Sequence, residues 1–235
     1  MSIEEPLGKN LGCSIVKIYV GSTNTEFIVH QNIICSATEY FTKAFTGAFK
    51  ERNGTIHLPE ECPEAFSLFV DWLYRRRILL IAKQAHLNTL VKLYVFSEKI
   101  CLTHLSNKVM DGIRIMCGKY KEAQVTTAMV GYVFKNTFLD SPLRTWALRD
   151  WVNHLDPTLN SGIPDAATTK DFAKLCTENE DFLEAYFCYM RTAANGKFPI
   201  TRSYAAKCMY HRHPLKSMCY IGKAEWVVKP AWDSE

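Results

Sequence analysis

The stretch from Phe27 to Tyr74 constrains the chain most. Phe27-Ile28-Val29-His30, Cys35-Ser36, Tyr40-Phe41, Ala44-Phe45, Phe49-Lys50-Glu51, Leu58-Pro59, Pro63-Glu64-Ala65-Phe66 and Trp72-Leu73-Tyr74 follow one another there. Ser14 to Val20 and Thr25 to His30 are rich in β-branched and aromatic residues and are separated by Gly21-Ser22-Thr23-Asn24, which predicts a β-hairpin. Ser36 followed by Glu39 has capping-box spacing: the hydroxyl can accept from first-turn amides while the carboxylate reaches back. Phe41, Ala44, Phe45, Ala48 and Phe49 then recur at helical spacing, so a helix is expected over about 37–47. Asn53-Gly54 reads as a tight turn before a short third strand, Thr55 to Leu58. Pro63 opens a helix whose Phe66, Phe69, Val70, Leu73 and Tyr74 share one stripe.

The period stays helical afterwards. Leu87, Leu90, Val91 and Tyr94 make one face, and Leu102, Leu105, Val109 and Ile113 another. Past Tyr120, Val125, Met129, Val133 and Phe134 share a segment, and Ser141-Pro142 form cap and first turn before Leu143, Trp146, Ala147, Trp151 and Leu155. Asp156 to Thr169 is a loop, and Phe172, Leu175, Phe182, Tyr186, Phe187 and Met190 suggest one or two closing helices. From Asn195 the pattern fails at Gly196, Pro199, Pro214, Gly222 and Pro230, so an irregular tail is expected. The expected fold class is α+β: a small sheet capped by helices over 14–118, an all-α extension over 120–194, and an irregular basic tail over 195–235.

Composition narrows the function. The chain has 235 residues, 48% of them hydrophobic, enough for a substantial core. Its net charge of +4 is too small an excess to imply nucleic-acid binding by itself. Nine cysteines scattered mostly among apolar residues suit free thiols in a reducing compartment. No apolar run follows Met1 and none reaches about 18 residues, so neither a secretory signal nor a membrane span is expected, and the cytoplasm or nucleus is the expected location.

The run Phe27, Val29, His30, Ile33, Ile34, Cys35, Ser36, Thr38, Tyr40 and Phe41 resembles the BTB/POZ domain. The likeness continues through Gly47, Phe49, Glu51, Ile56, Leu58, Pro59, Pro63, Phe66, Phe69, Trp72, Leu73 and Tyr74, covering roughly Ser14 to Met116. Residues 141–194, with their Ser-Pro-Leu-Arg opening and Phe-rich close, are similar to the helical extension that follows this domain in many filamentous-fungal proteins. The resemblance implies a platform for self-association and for docking other proteins, without catalysis. It also implies a contact: Phe49-Lys50-Glu51, with Phe45 nearby, is similar to the hydrophobic-x-Glu motif through which ubiquitin-ligase adaptors of this family grip a cullin scaffold. An apolar knob beside a carboxylate suits a groove with a nearby cation. The bland reading is that Phe49 finishes the helix core and Glu51 is surface charge. The N-terminal helix and strand through which members of the family pair are not evident before Ser14.

Single residues carry modest expectations. His30, at a strand-to-helix corner, is expected to bond to backbone there; Asp71 is a solvated or capping carboxylate, and Arg75-Arg76-Arg77 complements a helix C-terminus.

One constellation has metal chemistry. Cys208, His211, His213 and Cys219 form Cys-x2-His-x-His-x5-Cys, two thiolates and two imidazoles that could complete a structural zinc site. In a strand the two histidines would point to opposite faces, so joint ligation requires a turn. The bland alternative is a basic tail with incidental Cys and His. Arg202, Lys207, Arg212, Lys216, Lys223 and Lys229, interleaved with Tyr204, Tyr210, Tyr220, Trp226 and Trp232, could touch nucleic acid, although a solvated face explains them with fewer assumptions.

Enzyme signatures are missing. Gly112 to Gly118-Lys119-Tyr120 has one residue too many for a phosphate loop and Tyr where Ser or Thr must reach Mg²⁺. The chain contains no Gly-x-Ser-x-Gly, Cys-x-x-Cys or Gly-x-Gly-x-x-Gly. The expected function is non-catalytic protein docking, as an adaptor between a client protein and a cullin ubiquitin ligase. Two alternatives stay open: a self-associating, homodimeric scaffold or transcription-linked regulator, and a zinc-stabilised nucleic-acid binder.

Overall fold

The computed structural model describes residues 11–155, 169–194, 209–213, 219 and 227–229. The chain divides into two compact units, one of Met1–Ile81, Thr89–Gly112 and Ala224–Glu235, the other of Ala82–Asn88 and Ile113–Lys223.

The first unit begins with the expected hairpin. Strands β1 (Ile15–Val20) and β2 (Thr25–His30) pair antiparallel, with Ile18 opposite Phe27. Val16, Ile18 and Val20 are buried while Ile15 and Lys17 face out, the period-2 alternation of a sheet with one covered face. Strand β3 (Thr55–Leu58) lies on the other side of β1 and runs parallel to it, Ile56 opposite Ile18, giving the order β2-β1-β3. A parallel neighbour requires a crossover, and the segment between β2 and β3 supplies it with helices.

Those helices differ from the sequence reading. A helix not foreseen, α1 (Gln31–Ala37), starts directly from β2, and α2 spans Glu39–Thr46. Thr38, not Ser36, caps α2: its extended backbone (φ −156°, ψ 143°) suits an N-cap, and its Oγ1 accepts from the Tyr40 amide at 3.1 Å. Ser36 lies inside α1, where its hydroxyl donates to the Ile33 carbonyl at 2.9 Å. The Thr38 hydroxyl also donates to the Ile100 carbonyl at 2.9 Å. His30 differs too, because its partner is a side chain: both its amide (3.0 Å) and its Nδ1 (2.8 Å) meet the Tyr74 hydroxyl.

Helix α3 (Pro63–Arg75) starts with proline in its first turn and buries Phe66, Phe69, Trp72 and Leu73. Their rings gather the unit. Phe66 lies 4.9 Å from Phe27 and 5.6 Å from Phe96, and Phe69 lies 5.3 Å from Phe96, 6.1 Å from Phe41 and 6.2 Å from Trp72, centroid to centroid. These separations fall within the range of favourable offset and edge-to-face contacts. The helix ends at left-handed Arg76 (φ 54°), whose guanidinium covers the Trp72 ring at 5.0 Å, while Asp71 pairs loosely with Arg75 at 3.8 Å. Strand β4 (Leu79–Ile81) pairs parallel with β5 (Val227–Lys229), so the tail expected to be irregular contains a strand.

Helices α4 (Gln84–Lys99) and α5 (Thr103–Lys119) contribute residues to both units, and their predicted apolar faces, including Leu87, Leu90, Leu105 and Val109, are buried. The second unit adds α6 (Thr127–Asn136), α7 (Pro142–Leu155), α8 (Thr169–Glu178) and α9 (Glu180–Ala194). Thr126 caps α6 through the Met129 amide, and Ser141 accepts from the Leu143 amide at 3.3 Å at the start of α7. Phe182 is fully buried, with Phe134 at 5.2 Å and Trp151 at 5.7 Å. The architecture is thus α+β and mostly helical. Among the described residues no helix is long and apolar enough to cross a membrane.

Arg144 fastens this helical unit. Its side chain is 9% exposed, and its guanidinium donates to the carbonyls of Phe134 and Thr137 and to Thr137 Oγ1, lies over the Phe134 ring, and pairs with Asp181 at 2.9 Å. It thereby satisfies carbonyls left open at the C-terminus of α6. Arg144→Met is expected to lower unfolding free energy by about 3–5 kcal/mol, because a buried charge and its carbonyl partners lose one another. Asp181→Asn is expected to cost under about 1 kcal/mol, its carboxylate being half in water. Urea unfolding of both variants followed by circular dichroism measures the difference.

Candidate functional site

The Phe49-Lys50-Glu51 segment follows directly from how α2 ends. The Gly47 amide donates to the Lys43 carbonyl at 2.9 Å, and a Cβ on Gly47 would sit 2.3 Å from that oxygen. Only glycine lets the chain leave the helix this closely. Beyond it the backbone extends at Phe49 (φ −85°, ψ 162°) and enters a 3₁₀ turn, Lys50–Asn53. The turn is closed by Arg52 N to Phe49 O at 3.1 Å, by Gly54 N to Glu51 O at 2.9 Å, and by Thr55 N to Asn53 Oδ1 at 2.9 Å. Gly54 is left-handed (φ 84°), as the Asn-Gly pair predicts for a turn before a strand.

This geometry separates the sequence-predicted contact residues. Phe45 is a correction: only 3% exposed and 6.0 Å from the Phe41 ring, it belongs to the core and cannot offer its ring to a partner. The helix stops at Thr46, so Phe49 never reaches the inward stripe that helical spacing predicted for it. Phe49 is 62% exposed, and Glu51 lies half-buried in the adjoining turn. Tyr40 is an addition that the sequence reading did not single out. It is 40% exposed; burial of part of its ring pushes the phenol pKa up, and the Glu51 and Glu61 carboxylates push it the same way. Glu61 is itself held by Lys99 at 2.8 Å. The exposed Phe49 ring and the Glu51 carboxylate, on a turn fixed by its own hydrogen bonds, and the exposed Tyr40 ring on α2 suit contact with a protein groove.

The tail offers the second candidate. His211, His213 and Cys219 are half-buried, and their donor atoms lie within 4.8 Å of one another. His211 Nδ1 is 3.2 Å from Cys219 Sγ, and the two imidazoles are 5.8 Å apart at 73°. The turn at Met209-Tyr210 precedes three residues outside any strand, so the two imidazoles are not held on opposite faces. Cys208, the remaining member of the sequence pattern, lies outside the described residues, as do Arg202, Tyr204, Lys207, Lys216, Tyr220, Lys223, Trp226 and Trp232. Arg212 pairs with Asp140 at 3.0 Å.

The pattern of the BTB/POZ domain family matches residues 13–109, which take in the three-stranded sheet, the capped α2 and the Pro-opened α3. Residues 13–109 are a BTB/POZ domain. Over 201 residues, 76% of the chain, the sequence is 25% identical to Kelch-like protein 11 of Homo sapiens and 24% identical to Kelch-like protein 11 of Mus musculus. The chain spans 28% of the length of those relatives. At the level of the family, the role of a BTB/POZ domain is protein–protein interaction.

The exposed position of Phe49 in this domain has a measurable consequence. Phe49→Ala is expected to change unfolding free energy by no more than about 0.5 kcal/mol, as for other surface substitutions, whereas Gly47→Ala is expected to cost about 1–3 kcal/mol through its clash with the Lys43 carbonyl. Denaturant titrations of the two variants against the parent check both values.

Proposed function

We propose that this chain is a non-catalytic adaptor whose BTB/POZ domain grips a cullin scaffold through Phe49 and Glu51 and presents a bound client to a cullin-based ubiquitin ligase. The observation that carries the reading is the placement of Phe49. Of the six phenylalanines from Phe27 to Tyr74, it alone is exposed, and it stands beside Glu51. Desolvating such a ring in a partner's pocket supplies affinity, while the carboxylate orients the approach toward a cation. Tyr40 widens the apolar contact on the same surface. Binding of a purified cullin N-terminal domain, measured by calorimetry, tests this. Phe49→Ala is expected to weaken binding by about 30-fold or more, the loss typical of a central anchor. Glu51→Lys is expected to weaken it most at low salt. Failure of the parent protein to bind would dismiss the adaptor reading.

A second reading, a self-associating scaffold, is favoured by the hairpin. Ile15 and Ile28 are 54% and 55% exposed, and the register sets Ile28 beside Lys17 on a strand at the sheet edge. An uncovered apolar pair on an edge hairpin suits burial against a second copy. If that reading holds, sedimentation at micromolar concentration gives a dimer that Ile28→Lys converts to monomer; a parent protein that sediments as monomer excludes it.

A further inference from the structure

We propose that His211, His213 and Cys219 bind a zinc ion that ties Cys219 to the histidine pair. The spacing of the donors is the first support. With Zn–N near 2.0–2.1 Å and Zn–S near 2.3 Å, ligand atoms in a tetrahedral shell stand about 3.3–3.7 Å apart. The His211 Nδ1 to Cys219 Sγ distance is 3.2 Å, and all three donor atoms fall within 4.8 Å of one another. Closing that cluster around an ion requires small side-chain adjustments.

Anchoring of the donors is the second. Tyr210, adjacent to His211, is 5% exposed; the Arg114 guanidinium lies 5.2 Å from its ring centroid, and Arg149 donates to its hydroxyl at 3.2 Å. Arg212, between the two histidines, pairs with Asp140 at 3.0 Å. The three partners, Arg114, Arg149 and Asp140, all belong to the same compact unit as the cluster. The imidazoles are therefore presented from a fixed stretch of backbone, which reduces the ordering cost of ligation.

The donor set is the third support. Two imidazoles and a thiolate, with no carboxylate in the cluster among the described residues, select zinc or another borderline-to-soft cation over magnesium or calcium. On coordination the Cys219 sulfur binds as thiolate and its proton passes to water. The ion's fourth tetrahedral position lies outside these three side chains. Its role is mechanical, because it joins Cys219 to the histidine pair.

The test uses the full-length chain, reduced, stripped with a chelator and titrated with zinc alone and with cobalt(II) alone. About one zinc per chain is expected by mass spectrometry of the metal. Cobalt should give visible tetrahedral d–d bands and a thiolate charge-transfer band in the near ultraviolet. Cys219→Ser should abolish that charge-transfer band, and His213→Asn should weaken zinc binding by at least about tenfold. Far-UV circular dichroism establishes that each variant keeps its helices, and His211→Asn replaces any that does not. Phe49→Ala, on the docking turn, should bind zinc like the parent. Less than about a tenth of a zinc per chain in the parent, or an unchanged cobalt charge-transfer band in Cys219→Ser, overturns the proposal.

Discussion

The buried face of α3 governs the first unit. Phe66, Phe69 and Trp72 place large rings at helical spacing, and one helix can hide three such rings only if several other elements converge on it. Phe27 comes from the hairpin, Phe41 from α2 and Phe96 from α4, each within about 6 Å of a ring of α3. This demand fixes the rotation of α2, because Phe41 and Phe45 must both point inward. Once those two rings are committed, the chain beyond Gly47 leaves the helix and Phe49 emerges on the outside. The exposure of Phe49 is a by-product of how the core closes.

The helical unit answers a different problem, the loose end of a helix. The Ser-Pro-Leu-Arg run at 141–144 combines four tasks: Ser141 caps α7, Pro142 opens it, Leu143 enters the core, and Arg144 reaches back to the carbonyls that α6 leaves open. A buried guanidinium is costly to desolvate, and it is tolerated here because carbonyl, hydroxyl and carboxylate partners surround it. Replacing it with lysine would keep the charge and lose the fork of donors.

Much of this was legible in the sequence, and the failures have identifiable causes. β-Branched and aromatic content either side of Gly21-Ser22-Thr23-Asn24 gave both strands of the hairpin to within a residue, and Pro63 gave the start of α3. Helix α1 was missed because its seven residues are too few to establish a period, and Ile33-Ile34 fit a strand extension equally well. Ser36 and Thr38 are both good caps two residues apart, and only the backbone angles distinguish them. Phe45 and Phe49 share a helical face on paper, and the signal that separates them was Gly47, which a periodicity count passes over. The convergence of His211, His213 and Cys219 was suggested by composition but required a turn, which spacing alone does not supply.

Strands of three residues carry no period, so the β4–β5 pairing had no signature before the chain was seen folded. That pairing joins Leu79 to Val227. A ribosome therefore releases the sheet partner of β4 only after the whole intervening helical unit has been made. The early part of the chain can gather around its aromatic face during synthesis, but β4 gains its neighbour last, by closing a long loop late rather than a short one early.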